Sequence, residues 1–153
     1  MSTDRTMDAS VRDGLLEKYR TAERRIARAR GPLSLFGLFE RQDNPGRLDL
    51  VVSAPWLTTD RRGLQDLAKF LPRLTAQESA LIGRIVALDP DDEFVRDLNR
   101  LVATEGHLRE TGGLRAWEVD VRRGYVFTSA RRTPDAQGHP PRPFAPPEGA
   151  ALG

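Results

Sequence analysis

Cysteine is absent from the 153 residues, and histidine occurs only twice, as His107 and His139. Without a thiol there is no disulfide scaffold, no thiolate zinc site, no iron–sulfur cluster and no cysteine nucleophile. Two histidines far apart in sequence do not make a Ser-His-Asp constellation or a multi-histidine metal site. No apolar run approaches the ~20 residues that a bilayer span needs, so no membrane association is expected. Neither G-x-x-x-x-G-K-[ST] nor G-x-G-x-x-G occurs, which argues against phosphate-loop and dinucleotide chemistry by the standard routes. The polar start Met1-Ser2-Thr3-Asp4-Arg5 has no apolar core of a secretory signal, and the cytosol is the expected compartment. No internal repeat is evident.

Arginine is plentiful. Basic side chains number 24 and acidic ones 22, a formal net charge of +2, and only Lys18 and Lys69 of the basic ones are lysine. The chain as a whole therefore carries no strong positive field. Two stretches do concentrate arginine. Arg20, Arg24, Arg25, Arg28 and Arg30 lie close together, and so do Arg115, Arg122, Arg123, Arg131 and Arg132. A nucleic-acid binder gathers its positive charge on one face. The competing explanation is a solvated surface in an arginine-biased chain.

Hydrophobic periodicity organises the chain into one domain over 8–132, with a flexible start over 1–7. Val11, Leu15, Tyr19, Ala22, Ile26 and Ala29 follow helical steps of three and four, so a long helix is expected up to Gly31-Pro32. Leu33 to Arg41 and Arg47 to Ser53 read as strands joined by Asp43-Asn44-Pro45-Gly46, a turn sequence that makes a β-hairpin. Both strands are apolar on both faces, as in a covered sheet. A helix over about 59–71 follows, capped by Thr58 or Thr59. Thr75-Ala76-Gln77-Glu78 then fits the capping box of a short helix ended by Gly83. Arg84 to Leu88 reads as a short, buried strand. Asp89 and Pro90 open another helix, which carries the stripe Phe94, Leu98, Leu101, Val102 and ends near Gly106. Gly112-Gly113 reads as a loop. Trp117 to Val121 alternates as a half-buried strand, with a turn at Arg123-Gly124 and a return over 125–129.

Six of the eleven prolines fall between Thr133 and Gly153. That segment has too few large apolar residues to offset its ordering entropy, so a disordered tail is expected over 133–153. The expected architecture is α+β. It has a mixed sheet of about five strands (two hairpins plus one central strand), four helices and a long N-terminal helix.

Candidate chemistry is sparse. Asp49 is the most unusual carboxylate, because it interrupts the apolar strand Leu48-Asp49-Leu50-Val51-Val52. Beside Glu40 or Glu118 on adjoining strands it would make a Mg²⁺ site of oxygen ligands. Gly46-Arg47-Leu48-Asp49-Leu50-Val51 resembles the metal-binding hairpin of restriction-endonuclease-like nucleases over about six residues. The acidic-x-Lys motif of those proteins is missing here. The alternative for Asp49 is the wet edge of the hairpin or an ion pair with an arginine such as Arg47. His107, at the expected helix end, suits the negative pole of the helix dipole. Asp89, Asp91, Asp92 and Glu93 are explained by capping. Trp56 either anchors a partner or covers the core.

No residue set has the types and spacing that acid–base, nucleophilic or metal catalysis requires, and no cofactor or resident metal is expected. The leading expectation is a non-catalytic interaction or regulatory domain, binding a protein partner or a second copy through Leu15, Tyr19, Ile26 and Trp56. Two alternatives stand beside it. One is nucleic-acid binding through Arg20, Arg24, Arg25, Arg28, Arg122 and Arg123. The other is a metal-dependent nuclease or hydrolase centred on Asp49, with Glu40 and Glu118.

Overall fold

Helical spacing in the first segment is realised as α1, Ala9–Arg30, which buries Leu15, Leu16, Tyr19, Ala22, Glu23 and Ile26 along one stripe. The structure is a computed structural model, and it describes residues 9–116 and 119–131. The expected flexible start and the expected proline-rich tail lie outside those residues. Gly31 ends α1, and its N–H donates to the Ala27 carbonyl at 3.0 Å.

The hairpin forms as its turn residues dictate. Strand β1 is Leu35–Arg41 and β2 is Leu48–Ser53. They pair antiparallel with Phe39 opposite Asp49. Gly46 adopts φ 84°, the left-handed region that a side chain would resist. The Glu40 carboxylate accepts from the Gly46 N–H at 2.8 Å and so ties the turn to β1.

The remaining elements are α2 (Arg61–Ala68), α3 (Ala76–Ser79), β3 (Ile82–Leu88), α4 (Glu93–Leu101), β4 (Thr104–Ala116) and β5 (Val119–Ser129). The sheet order is β3-β2-β1-β5-β4, and the whole is a single α+β domain. Only β3 runs parallel to its neighbour, β2. A parallel return needs a crossover, which α2 and α3 supply. β1 already has β5 on its far side, so β3 takes the free side of β2. The strand expected at the centre is therefore at an edge, and β1 is the central strand. The exposure of Gly83, Arg84 and Ile85 agrees with that edge position.

The two-residue period of the strands divides the core. Phe36, Leu38, Leu50, Val52, Tyr125 and Phe127 face α1 and meet Leu15, Tyr19 and Ile26. Phe39, Val51, Val121 and Val126 face the other way and meet Phe94, Val95 and Leu98 of α4. Phe39 and Phe94 stack edge to face with centroids 5.5 Å apart. Asn99 of α4 donates to the Ser34 carbonyl at 3.1 Å and to Ser129 Oγ at 2.9 Å, which fixes the helix on the sheet. Each fully buried Leu or Phe in these layers contributes about 1.5–3 kcal/mol.

Several boundaries differ from the sequence reading. Asp60, not Thr58 or Thr59, caps α2 by accepting from the Gly63 N–H at 3.1 Å. The capping box of Thr75 and Glu78 forms as expected. Gly83 belongs to β3 and ends no helix. Asp92, not Asp89, caps α4. That helix stops at Leu101 because Val102 is already extended. Thr104 and Gly106, both weak helix formers, continue as strand against β5. His107 and Gly112-Gly113 therefore lie within β4, not at a helix end or in a loop. Gly124 lies inside β5 and makes no turn. The ring of Phe39 crosses it so closely that an added Cβ would sit 2.9 Å from a ring carbon.

At Gly63 the squeeze is tighter. A Cβ there would fall 1.8 Å from the Thr58 carbonyl oxygen, a backbone atom. Gly63→Ala is expected to displace the start of α2 and lower stability by about 1–3 kcal/mol or more, read from urea unfolding. An unchanged midpoint would contradict this packing.

Candidate functional site

Asp49 is buried, but not among other acids. Being opposite Phe39, it lies on the α4 side of the sheet. Glu40, one residue further along β1, points to the opposite side. The two carboxylates thus cannot share an ion, and Glu118 lies outside the described residues. Among the described residues, no three His, Cys, Asp or Glu side chains are grouped to hold a metal. Asp49 instead meets Arg41 Nε at 3.2 Å and Arg84 Nε at 3.1 Å. The ion pair expected with Arg47 is thus made with arginines of β1 and β3. A recess of about 50 Å³ beside it is walled by Phe39, Val51, Val86, Leu88, Phe94 and Val121. It is too small for a substrate of ordinary size.

The stripe proposed as a partner surface is core. Leu15, Tyr19 and Ile26 pack on the protein's own sheet. Burial, and secondarily the Glu78 charge, pushes the Tyr19 phenol up to about 12. Glu78 accepts from Lys18 Nζ at 2.6 Å and from the Thr75 N–H at 2.9 Å. The Lys18 hydrogen bond first, then that of Thr75, holds its carboxyl below the usual carboxylate range. Trp56 is half-buried. Its indole N–H donates to the carbonyls of Gly31 at 3.2 Å and Pro32 at 3.1 Å, sealing the end of α1. The Arg30 guanidinium lies 5.5 Å from the centre of the Trp56 ring and pairs with Asp66 at 2.6 Å. Trp56 and Arg30 therefore join α1 to α2.

The remaining arginines divide between two ends of α1. Arg122 lies 3.7 Å from Glu40. Arg123, on the same strand, is held more basic by the nearby Tyr125 hydroxyl and by Glu40. Arg12, in the first turn of α1, shares the Tyr125 environment. From Arg12 to Arg28 the helix rises about 24 Å, so Arg122 and Arg123 are remote from Arg28. The side chain of Arg115 and the whole of Arg132 lie outside the described residues. Arg20 is half-buried, and its Nε has no hydrogen-bond partner.

At the C-terminal end of α1, Arg24, Arg25 and Arg28 are exposed. Arg62 of α2 and Lys69, which caps its end, are exposed beside Arg30 and Trp56, and Arg61 is exposed as well. A cavity of about 380 Å³ there is lined by Arg30, Trp56, Arg62, Gln65, Asp66 and Lys69, among others. A second, of about 340 Å³, lies on the other flank of α1 between Glu23, Arg24, Ala27, Arg28, Leu33 and Thr128. Its floor holds Glu23, 5% exposed, whose Oε2 accepts from Thr128 Oγ1 at 2.7 Å. Sequence reasoning missed Glu23. The signal was present, since Glu23 is eight residues after Leu15 and so falls on the buried stripe. The α2 contribution was missed because only folding brings residues 61–69 to the end of α1.

Comparison with family models, curated proteins and solved structures finds no match for this chain.

Two outcomes test these assignments. Asp49→Asn leaves Arg84 without its counter-charge and Arg41 with only the exposed Asp43, and is expected to cost about 1–3 kcal/mol, since Arg84 keeps access to water. Mg²⁺ raising the unfolding midpoint of the wild type but not of the variant would identify Asp49 as a ligand instead. For Glu78 the folded carboxyl is depressed relative to its ordinary 4.5. Its contribution is therefore complete above that pH and is lost as pH falls through the lower folded value. Glu78→Gln is expected to shrink the loss of stability between neutral and strongly acid pH, measured by urea midpoints.

Proposed function

We propose that the protein binds nucleic acid through the arginine-rich end where α1 meets α2. One asymmetry carries the reading. Arg24, Arg25 and Arg28 project into solvent and make no ion pair among the described residues. The carboxylates on the α2 side are already engaged. Asp60 accepts from Gly63 and Thr58, and Asp66 is held by Arg30 and Lys69. Helix geometry supports unpaired cations here, because the last turn of α1 presents the negative pole of its dipole. Guanidinium groups match phosphate oxygens in a two-pronged geometry that lysine lacks. Arg62 and Lys69 add cations on the α2 flank, across α1 from the cavity of Arg24 and Arg28, and Trp56 with Arg30 holds α1 and α2 together. Arg122 and Arg123, at the far end of α1, are not part of it. Association with a protein partner would need a surface other than Leu15, Tyr19 and Ile26, which are committed to the core.

Binding of this kind depends on salt, since each neutralised phosphate releases counterions. The double variant Arg24→Ala, Arg28→Ala is expected to weaken a labelled oligonucleotide about tenfold. It should also flatten the plot of log affinity against log salt by about one to two units. Fluorescence anisotropy across a salt series measures both. Equal slopes for the wild type and the variant would remove the proposal.

A further inference from the structure

The cavity on the β4 flank of α1 contains a group that the arginines do not explain. Glu23 is almost wholly removed from water and makes no ion pair among the described residues. Its one hydrogen bond comes from Thr128, and an ionised carboxylate offers about four acceptor positions. Its free acceptor positions are not sealed from water, because Glu23 opens on a water-accessible space. The unused positions belong to a side chain that lines a cavity of about 340 Å³. A ligand that brings N–H donors to the floor of that cavity would take the place of water at those positions.

Building on the nucleic-acid reading, we infer that this cavity accepts an unstacked base of a single strand, guanine in preference to the others, with Glu23 reading its Watson–Crick edge. Guanine offers two adjacent N–H donors, on N1 and on the 2-amino group, which match the two oxygens of one carboxylate. Adenine and cytosine offer one amino donor beside an acceptor nitrogen. Uracil offers one N–H between two carbonyls, whose lone pairs would face the carboxylate. Ala27, Pro32 and Leu33 provide apolar walls for a planar ring. Arg24 and Arg28 stand on the same cavity, where the phosphates flanking an inserted base would run. Single-stranded RNA is commonly read by this combination of splayed-out bases, edge hydrogen bonds and backbone cations.

The test uses the full chain and two labelled RNA strands, an oligouridine and the same strand with one central guanosine. The guanosine strand is expected to bind about tenfold tighter, as a good paired contact to one base provides. Replacing that guanosine by inosine, which lacks the 2-amino group, should remove part of the gain without altering the protein. Glu23→Gln, with its folding checked by thermal unfolding, should abolish the preference while oligouridine affinity and its salt slope persist. Equal binding of all three strands, with the salt dependence intact, would overturn the base-reading role and leave the proposed function standing. Inosine binding as tightly as guanosine would overturn the two-donor contact. Absence of salt-dependent binding to any strand would overturn both proposals.

Discussion

Burial of β1 on both faces is the constraint from which the rest of the architecture follows. With neighbours on each side and side chains alternating, β1 needs a cover on both surfaces. Leu35 and Phe39 demand one layer, and Phe36 and Leu38 demand the other. The long helix α1 meets the larger demand and the short α4 the smaller. Because α1 is buried from Leu15 to Ile26, the large side chains of its apolar stripe are consumed. Only its outer surface and its two ends remain to meet other molecules. The exposure of arginines at the end of α1 is thus a result of how the core is satisfied.

That end is held by identifiable contacts. Trp56 holds the carbonyls of Gly31 and Pro32 just beyond α1, and Arg30 bridges the indole to Asp66. These contacts use the aromatic ring and one arginine for structure, and they leave the neighbouring arginines free. A bidentate arginine–carboxylate contact has low conformational freedom. A surface held in this way would not first have to be ordered to bind a partner, which favours affinity.

Much of the fold could be read from residue spacing. The stripe on α1, the Asn44-Pro45-Gly46 turn and the Thr75–Glu78 capping box are local signals, each set by a few neighbouring residues. What escaped was decided at long range. Gly124 looks like a turn residue until the Phe39 ring is placed over it. Thr104 to Ala116 has no clean alternation, and pairing with β5 makes it a strand. β3 reads as buried because it is apolar, yet the crossover carries it to an edge. The candidate site divides in the same way. The arginines of α1 were visible as a run, while their α2 neighbours and the buried Glu23 required the fold. Asp49 was recognised as unusual, but its partners Arg41 and Arg84 lie on other strands and could not be named from spacing.

The lone parallel pairing has a kinetic consequence. The four strands β2-β1-β5-β4 join antiparallel, whereas β3 attaches only after the chain has passed through α2 and α3. Detaching β3 would therefore leave a four-stranded unit with both its helical covers, α1 and α4, in place. Opening of that kind is sub-global and costs less than complete unfolding. The amides of β3 would then exchange with solvent through this partial opening, ahead of those in β1. Arg84, which clamps the edge to Asp49, would set the frequency of the excursion.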